Sequence, residues 1–445
     1  RSTLVVGNEN VELRGTSSAK LVSPSKTIGN PGERWVILTQ YYPPEPGAPQ
    51  VRLHTLARNL MKHGINVRVV TGMPNYPTGV VQPGYRGKWF HREEIDGIEV
   101  SRVWLYAATG RNPIIRLCNY MSFTLTATFY VLFGMKKVDV LFVESQPISI
   151  GIAGLLMKWF RGVPYVYNIP DLQTDVAKQL GFMGAKLLLR MAVAMENLFM
   201  RQSWTVSTVT QRFIDYYEKR GIPRRQISFL PNGADTDILK PLPYDEAYAH
   251  KLGVQGKKVF VYAGTHAFYH GLEVLIEAAR LLRDRSDIVL LLVGEGPVRQ
   301  KLIDLAREYG LTNVVFGQSP FREMAQLMSI SYASLVVMKD IPAAEKMRLS
   351  KTFPPLACGV PVIYSGRGES ADMVVEHKCG LALAPESPTE LAEGIVRLAD
   401  DPALREAMGR NGVSLVQREL SWKAIIKNWL AQLQATEPAP ACPAK

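Results

Sequence analysis

KVFVYAG, residues 258–264, is an apolar run closed by glycine and followed by a helical pattern. Apolar runs of this length, bounded by turns and alternating with helices, mark parallel strands covered on both faces. Downstream the unit recurs as IVLLLVG (288–294), NVVFG (313–317), ASLVVM (333–338) and PVIY (361–364). Upstream it has already run once, as WVILT (35–39), NVRVVT (66–71), VDVLFV (138–143), PYVYN (164–168) and WTVST (204–208), with a helix predicted over Val51–His63. Between the two series lies PNGADTDILKPLP (231–243), where Asn-Gly and three prolines interrupt the periodicity. A chain of 445 residues also exceeds the ~250–300 at which one core stops growing. The expectation is an α/β protein of two doubly wound parallel-sheet domains facing a central cleft, with sites at the carboxyl ends of strands. Residues 1–33 read as a flexible or processed tail without a signal-peptide pattern, 34–235 as the first domain and 236–415 as the second. Residues 416–435 read as a helix packing back on the first domain, and 436–445 as a disordered tail.

Composition narrows the function. Hydrophobic residues make up 47% and charged residues 21%, which excludes a mostly disordered or fibrous chain. Cys118, Cys358, Cys379 and Cys442 form no CxxC pair, so neither a disulfide framework nor a zinc ribbon is expected and a reducing compartment fits. No HExxH or His/Cys cluster indicates a protein-built metal site. The net charge of +12 is uneven: residues 31–240 hold 25 Lys and Arg against 15 Asp and Glu, residues 241–432 hold 22 against 22. Such asymmetry points to a polyanionic partner, an anionic membrane face or nucleic acid. No RNA-binding motif or aromatic-basic array supports the latter. One segment, Leu117–Met135, carries 19 residues without charge between Arg116 and Lys136, but Asn119, Ser122, Thr124, Thr126 and Thr128 make it a buried or interfacial helix rather than a membrane span.

Several loops could hold an anion. Gly47 and Ala48 follow the first strand and precede a helix, whose N-terminus favours negative charge. VGEGP (293–297) supplies Gly294, Glu295 and Gly296 after a strand. YAGTHAFYHG (262–271) offers Gly264, Thr265, His266 and His270. AAEKMRLSK (343–351) places Lys346, Arg348, Ser350 and Lys351 ahead of a helix, a set that suits a diphosphate. Against these stand plainer readings: a Pro-rich loop, a simple turn, structural histidines and a solvated charge run.

Taken in order, these motifs resemble the retaining glycosyltransferases of family 4, whose two Rossmann-like domains form the GT-B arrangement. The resemblance spans about residues 34–432. It runs from YYPPEPGAP and LARNLMKHGINVRVVTG through VPYVYNIPDLQTD (163–175) and PNGADTDILKP to FVYAG, LLVGEGP and LACGVPVI, and ends on the last helices to SWKAIIKNWL. TGMPNYPTG (71–79) and GYRG (84–87) are similar to a branch that builds capsules, exopolysaccharides and O-antigens. The resemblance implies a nucleotide-sugar site at Gly47, Ala48, Gly264, Thr265, His266, His270, Gly294, Glu295, Gly296, Phe316, Glu345, Lys346, Arg348, Leu349, Ser350 and Lys351. It also places the Asp235-Thr236-Asp237 triplet in the interdomain segment, a structural place rather than a metal–nucleotide motif.

The departures are specific. Where the family carries two glutamates with seven residues between them before the Ala-Cys-Gly turn, this chain has Lys346 and Pro354, and Pro offers no side-chain acceptor for a ribose. Where the family carries diphosphate-neutralising Arg and Lys, it has Thr265 and His270. Neutralisation is therefore expected from Lys351, Lys346 or Arg348 and helix-terminal amides. Lys351, Glu144 and Asp171 are the candidate catalytic residues, the two carboxylates for acceptor orientation or base assistance. The implied enzyme is a metal-independent hexosyl- or N-acetylhexosaminyltransferase without cofactor, taking a UDP- or GDP-sugar. Its implied acceptor is a polyprenyl-diphosphate-linked glycan at the inner, cytoplasmic face of the membrane. Two other readings stand beside it: a non-catalytic glycan- or partner-binding subunit that lost turnover through Pro354, and another GT-B enzyme such as an epimerase or phosphorylase.

Overall fold

The computed structural model describes residues 27–45, 48–107, 109, 112–170, 186–342, 345 and 348–436. Its first sheet contains β1 (Arg34–Leu38), β2 (Asn66–Gly72), β3 (Phe90–Ile95), β4 (Ile98–Val103), β5 (Val140–Glu144), β6 (Tyr165–Ile169), β7 (Thr205–Thr208) and β8 (Ile227–Phe229). Their order is β3-β4-β2-β1-β5-β6-β7-β8, parallel throughout except for the β3/β4 hairpin. The second sheet contains β9 (Lys258–Ala263), β10 (Ile288–Val293), β11 (Val314–Gly317), β12 (Ser331–Val337), β13 (Val362–Ser365) and β14 (Gly380–Leu383). Its order, β11-β10-β9-β12-β13-β14, is all parallel and reverses direction of winding between β9 and β12. In the first sheet the reversal falls between β1 and β5. Ligands of doubly wound sheets bind outside the strand ends at such reversals.

Alternation explains the layers. Val36 and Leu38 of β1 join one apolar cluster, whereas Trp35 and Ile37 join another on the opposite face. The second sheet divides the same way, Val259 and Val261 below, Phe260 and Tyr262 above. The last helix, Trp422–Ala435, puts Trp422, Ile426 and Trp429 into the cluster of Trp35 and Phe142, although its chain leaves from the second domain. Trp429 meets Trp35 and Phe142 edge-on at 5.9 and 6.0 Å, and its Nε1–H donates to Ser207 and Ser228. The crossing is stitched by Ala234 N–H donating to the Leu420 carbonyl at 2.8 Å.

Two sequence expectations need correction. Residues 27–33 are not part of a tail: Ile28 is buried, and Glu33 accepts hydrogen bonds from the Gly29 amide and the Trp35 indole. The β3/β4 hairpin interrupts the parallel rhythm and has no apolar run, because β3 is an edge strand whose residues alternate between half-buried and exposed. Its turn, Asp96-Gly97, has both φ angles positive, +50° and +78°, as a two-residue hairpin requires. The uncharged segment forms the helix Pro113–Phe129 and a wider turn, Tyr130–Gly134. No helix among the described residues is long and apolar enough to cross a membrane.

Candidate functional site

The carboxyl end of β9 and the loop that follows it meet one lysine. Lys351 lies in a single turn, Ser350–Thr352, ahead of the helix Phe353–Ala357, and its chain folds back over the end of β9. Its Nζ donates to the Tyr262 hydroxyl at 2.6 Å and lies 2.7 Å from His270 Nε2. Tyr262 in turn donates to the Thr265 carbonyl at 2.7 Å, so its oxygen is the acceptor toward lysine. His270 Nδ1 faces the Met338 sulfur at 3.2 Å, which assigns its proton there and leaves Nε2 as acceptor. Burial lowers Lys351 to about 7 from an ordinary 10.5. Burial and then the lysine's charge hold His270 down at about 3, so it stays neutral. Among the described residues no carboxylate pairs with Lys351. A cation held by neutral acceptors alone is a site for an incoming anion.

The glycine loops set the close approach. A Cβ on Gly264, whose φ is +154°, would fall 2.6 Å from Lys351 Cε. A Cβ on Gly294, φ +135°, would collide with the Gly264 carbonyl, and one on Gly296 with that of His266. His266 is fully buried, donates its amide to the Glu295 carbonyl at 2.8 Å, and has no partner on either ring nitrogen among the described residues. Burial and then Arg299 hold its pKa down. Glu295 accepts from Gln318 and faces Arg299 at 3.7 Å, and Arg299 lies over the Phe316 ring. Thr265 is exposed beside them.

Other expected members lie elsewhere. Arg348, expected as a phosphate ligand, is turned away: it pairs with Glu369 at 3.3 Å between the rings of Phe229 and Phe353. There it ties the domains, since Glu369 also accepts the Gln211 amide of the first domain. Leu349 is buried beneath, its amide donating to Ser370 at 3.0 Å; Ser350 is exposed. Glu345 faces Arg212 of the first domain at 3.6 Å, on the wall of a cleft of about 400 Å³ shared with Arg367 and Asp372. Ala48 begins the helix Ala48–Lys62. Gly47, Asp171 and Lys346 lie outside the described residues. Glu144 ends β5, buried, and accepts from Asn168 Nδ2 at 2.6 Å with Arg52 at 3.8 Å. Asp237 of the Asp-Thr-Asp triplet pairs with Lys62 at 2.7 Å, and Asp235 accepts the Asp237 amide at 3.1 Å.

Sequence reading missed the partners that orient Lys351 and Glu144: Tyr262, Met338, Asn168 and Arg52. Tyr262 and Lys351 are 89 residues apart, and only the sheet brings them together. It also missed Glu45, which accepts the amides of Tyr42, Asn75 and Tyr76 and clamps the loop after β1 to the loop after β2. A lone carboxylate in YYPPEPG was its only signal.

Comparison with known proteins agrees with this architecture. Residues 47–233 match the glycosyl transferase 4-like domain, and residues 245–414 match glycosyl transferases group 1. A glycosyl transferase of Escherichia coli assigned to colanic acid biosynthesis, WcaI, is 26% identical over 76% of this chain and 84% of its own length. A lipopolysaccharide 1,2-N-acetylglucosaminetransferase of Salmonella typhimurium is 25% identical over 56% of this chain and 67% of its own. The structure of Anabaena Alr3699/HepE with UDP-glucose superposes with a TM-score of 0.64 at 18% identity, covering 90% of this chain and 99% of that one. The two matched domains and the two doubly wound sheets make this chain a GT-B glycosyltransferase of the family 4-like kind.

Proposed function

We propose that the protein transfers a sugar, with retention of configuration, from a UDP- or GDP-sugar to a lipid-linked glycan in surface polysaccharide synthesis. The observation that carries this reading is the Lys351 ammonium, held by Tyr262 and His270 at the mouth of the glycine loops without a carboxylate among the described residues. In the reaction the bond between the anomeric carbon and the distal phosphate oxygen breaks, and a bond to the acceptor oxygen forms on the same face. The acceptor's proton passes to the departing phosphate. Charge grows on that phosphate, and a preoriented cation there acts without metal. The His266 ring, unpartnered among the described residues, is a further donor for the diphosphate in this reading, whereas the Gly264 and Gly294 amides already donate to the Val293 and Gly317 carbonyls. Glu144, fixed by Asn168 and Arg52, and Asp171 are the acceptor-side carboxylates of this reading.

The polysaccharide role rests on the likeness to the colanic acid and lipopolysaccharide enzymes, and the donor class on the UDP-glucose bound by the Anabaena protein. Lipid linkage and a place on the inner membrane face rest on the excess of cations in residues 31–240. A second reading, a GT-B subunit without turnover, is favoured by Pro354 alone, which stands at the start of the helix Phe353–Ala357. Thermal unfolding across a panel of UDP- and GDP-sugars tests both. A ligand at 100 times its dissociation constant stabilises by about 2.7 kcal/mol. The expected result is stabilisation by one nucleotide sugar, lost in Lys351→Ala, with slow release of its sugar to water. Stabilisation without any turnover would favour the second reading, and no stabilisation by any nucleotide sugar would overturn the first.

A further inference from the structure

Helices of the first domain leave a group of large apolar side chains in the open. The helix Pro113–Phe129 and its following turn bury Phe123, Ala127 and Val131. On the other side Leu125, Phe129 and Phe133 follow at four-residue spacing, the two phenylalanines 66% and 73% exposed with ring centroids 5.0 Å apart. The helix Gly151–Arg161 ends against that turn: Arg161 Nη1 donates to the carbonyls of Val131 and Met135 at 2.9 and 2.7 Å. Just before it stand Trp159 and Phe160, 58% and 76% exposed. A third helix, Lys186–Gln202, joins through Lys158 Nζ, which donates to the Gln202 carbonyl at 2.8 Å. Four exposed aromatic rings around one junction are more than a solvated surface ordinarily carries.

Within these three helices the exposed charges have one sign. Residues 113–134, 151–161 and 186–202 contain a single carboxylate, Glu196, which is 1% exposed and paired with Arg220 at 2.8 Å. Arg116, Lys136, Lys137, Arg190 and Arg201 are exposed. A second copy docking here through a two-fold axis would set cation against cation. An apolar face ringed by cations instead matches a bilayer interface of acyl chains under anionic headgroups, where aromatic rings are favoured. The same helix reaches the cleft at its other end, where Asn119 Oδ1 accepts from Gln40 Nε2, just past β1, at 2.6 Å.

We propose that Phe129, Phe133, Trp159 and Phe160 seat the first domain in the interface of an anionic membrane, with Lys136 and Lys137 against the headgroups. This gives the membrane part of the reading above a surface and an orientation, with the helix 113–129 leading from the lipid to the cleft. It needs neither donor nor acceptor and so is tested apart from transfer. The full chain is sedimented with vesicles of phosphatidylcholine alone and with phosphatidylglycerol added. The wild type is expected to bind the anionic vesicles only. Phe129→Ser with Phe133→Ser should weaken that binding about tenfold or more. Lys136→Gln with Lys137→Gln should weaken it about fivefold per charge at low salt. Trp159 emission should shift to the blue on vesicle addition, and Trp159→Phe should lack that change. A wild-type circular dichroism spectrum and a cooperative thermal transition in every variant show that each is folded. Vesicle binding unaffected by either pair of substitutions would overturn the proposal. So would equal binding to neutral vesicles, or a wild-type dimer in light scattering that the serine variant dissolves.

Discussion

The strand ends of the two domains treat their buried charges in opposite ways. In the first domain Glu144 stands at the end of β5 with Arg52 beside it and the Asn168 amide donating to it. In the second, Lys351 stands at the end of β9 with, among the described residues, a phenol and a neutral imidazole as its side-chain hydrogen-bond partners. A buried charge with a counter-charge is held at a fixed position with its field largely balanced; one without keeps its field for a ligand. The net charge divides the other way, with the excess of cations in the first half and balance in the second. The inference is that the second domain spends one cation at a point, on a diphosphate, whereas the first spreads many over a surface.

The largest expected effect tests whether the first domain is complete without the chain's last helix. Trp429 is fully buried between Trp35 and Phe142, so Trp429→Ala should lower stability by about 3–5 kcal/mol. Denaturant unfolding followed by circular dichroism measures it, and a loss below about 1 kcal/mol would mean that the helix only rests on the domain. Next comes the point charge. Lys351→Ala should reduce kcat/KM for transfer about 10²–10³-fold, equivalent to about 2.7–4 kcal/mol, with the unfolding midpoint not lowered. Wild-type kcat/KM in the folded variant would remove Lys351 from the reaction.

The fold was largely legible because buried parallel strands announce themselves as apolar runs: KVFVYAG, IVLLLVG and WVILT all became strands within a residue or two. Strands that lack such runs were not found. β3 carries His91, Arg92, Glu93 and Glu94 because an edge needs solvation, and its hairpin was announced only by Asp96-Gly97. In the site, the cations were visible as a cluster but their directions were not. Arg348 and Lys351 are three residues apart, yet one turns to Glu369 and the domain junction, the other to Tyr262 and the glycine loops. That divergence is set by which buried partners the sheet presents, a tertiary fact that local pattern does not carry.

A smaller effect sharpens the contrast through pH. Burial sets Lys351 at about 7 in the ligand-free protein against an ordinary 10.5. Because the folded value lies below the unfolded one, folding expels a proton across that window, and stability rises as pH climbs through it. Donor affinity runs the opposite way, since only the ammonium attracts a diphosphate. UDP affinity should fall by up to about tenfold between about pH 7 and 8. Calorimetric titration in the wild type and in Lys351→Ala checks this; the variant should show a flat profile there, and a flat wild type would contradict the geometry. His270, its pKa held down at about 3 by burial, stays neutral and contributes no change in that range.

The smallest expected effect is none at all, on adding a chelator. Magnesium takes oxygen ligands in near-octahedral geometry, usually a carboxylate or two beside the substrate phosphates. The carboxylates nearest the phosphate loops are already engaged: Glu295 accepts from Gln318 and faces Arg299, and Glu345 faces Arg212. The Asp-Thr-Asp triplet is occupied too, with Asp237 on Lys62 and Asp235 closing its own turn. What the second domain holds toward an incoming diphosphate is the Lys351 ammonium, and a divalent cation placed beside it would be repelled at short range. Transfer rates measured with and without EDTA should therefore agree. If EDTA abolished transfer and Mg²⁺ restored it, Glu295 or Glu345 would have to leave its present partner on donor binding. Glu295→Gln and Glu345→Gln would then show which one does, because only the true ligand's variant would lose the Mg²⁺ response.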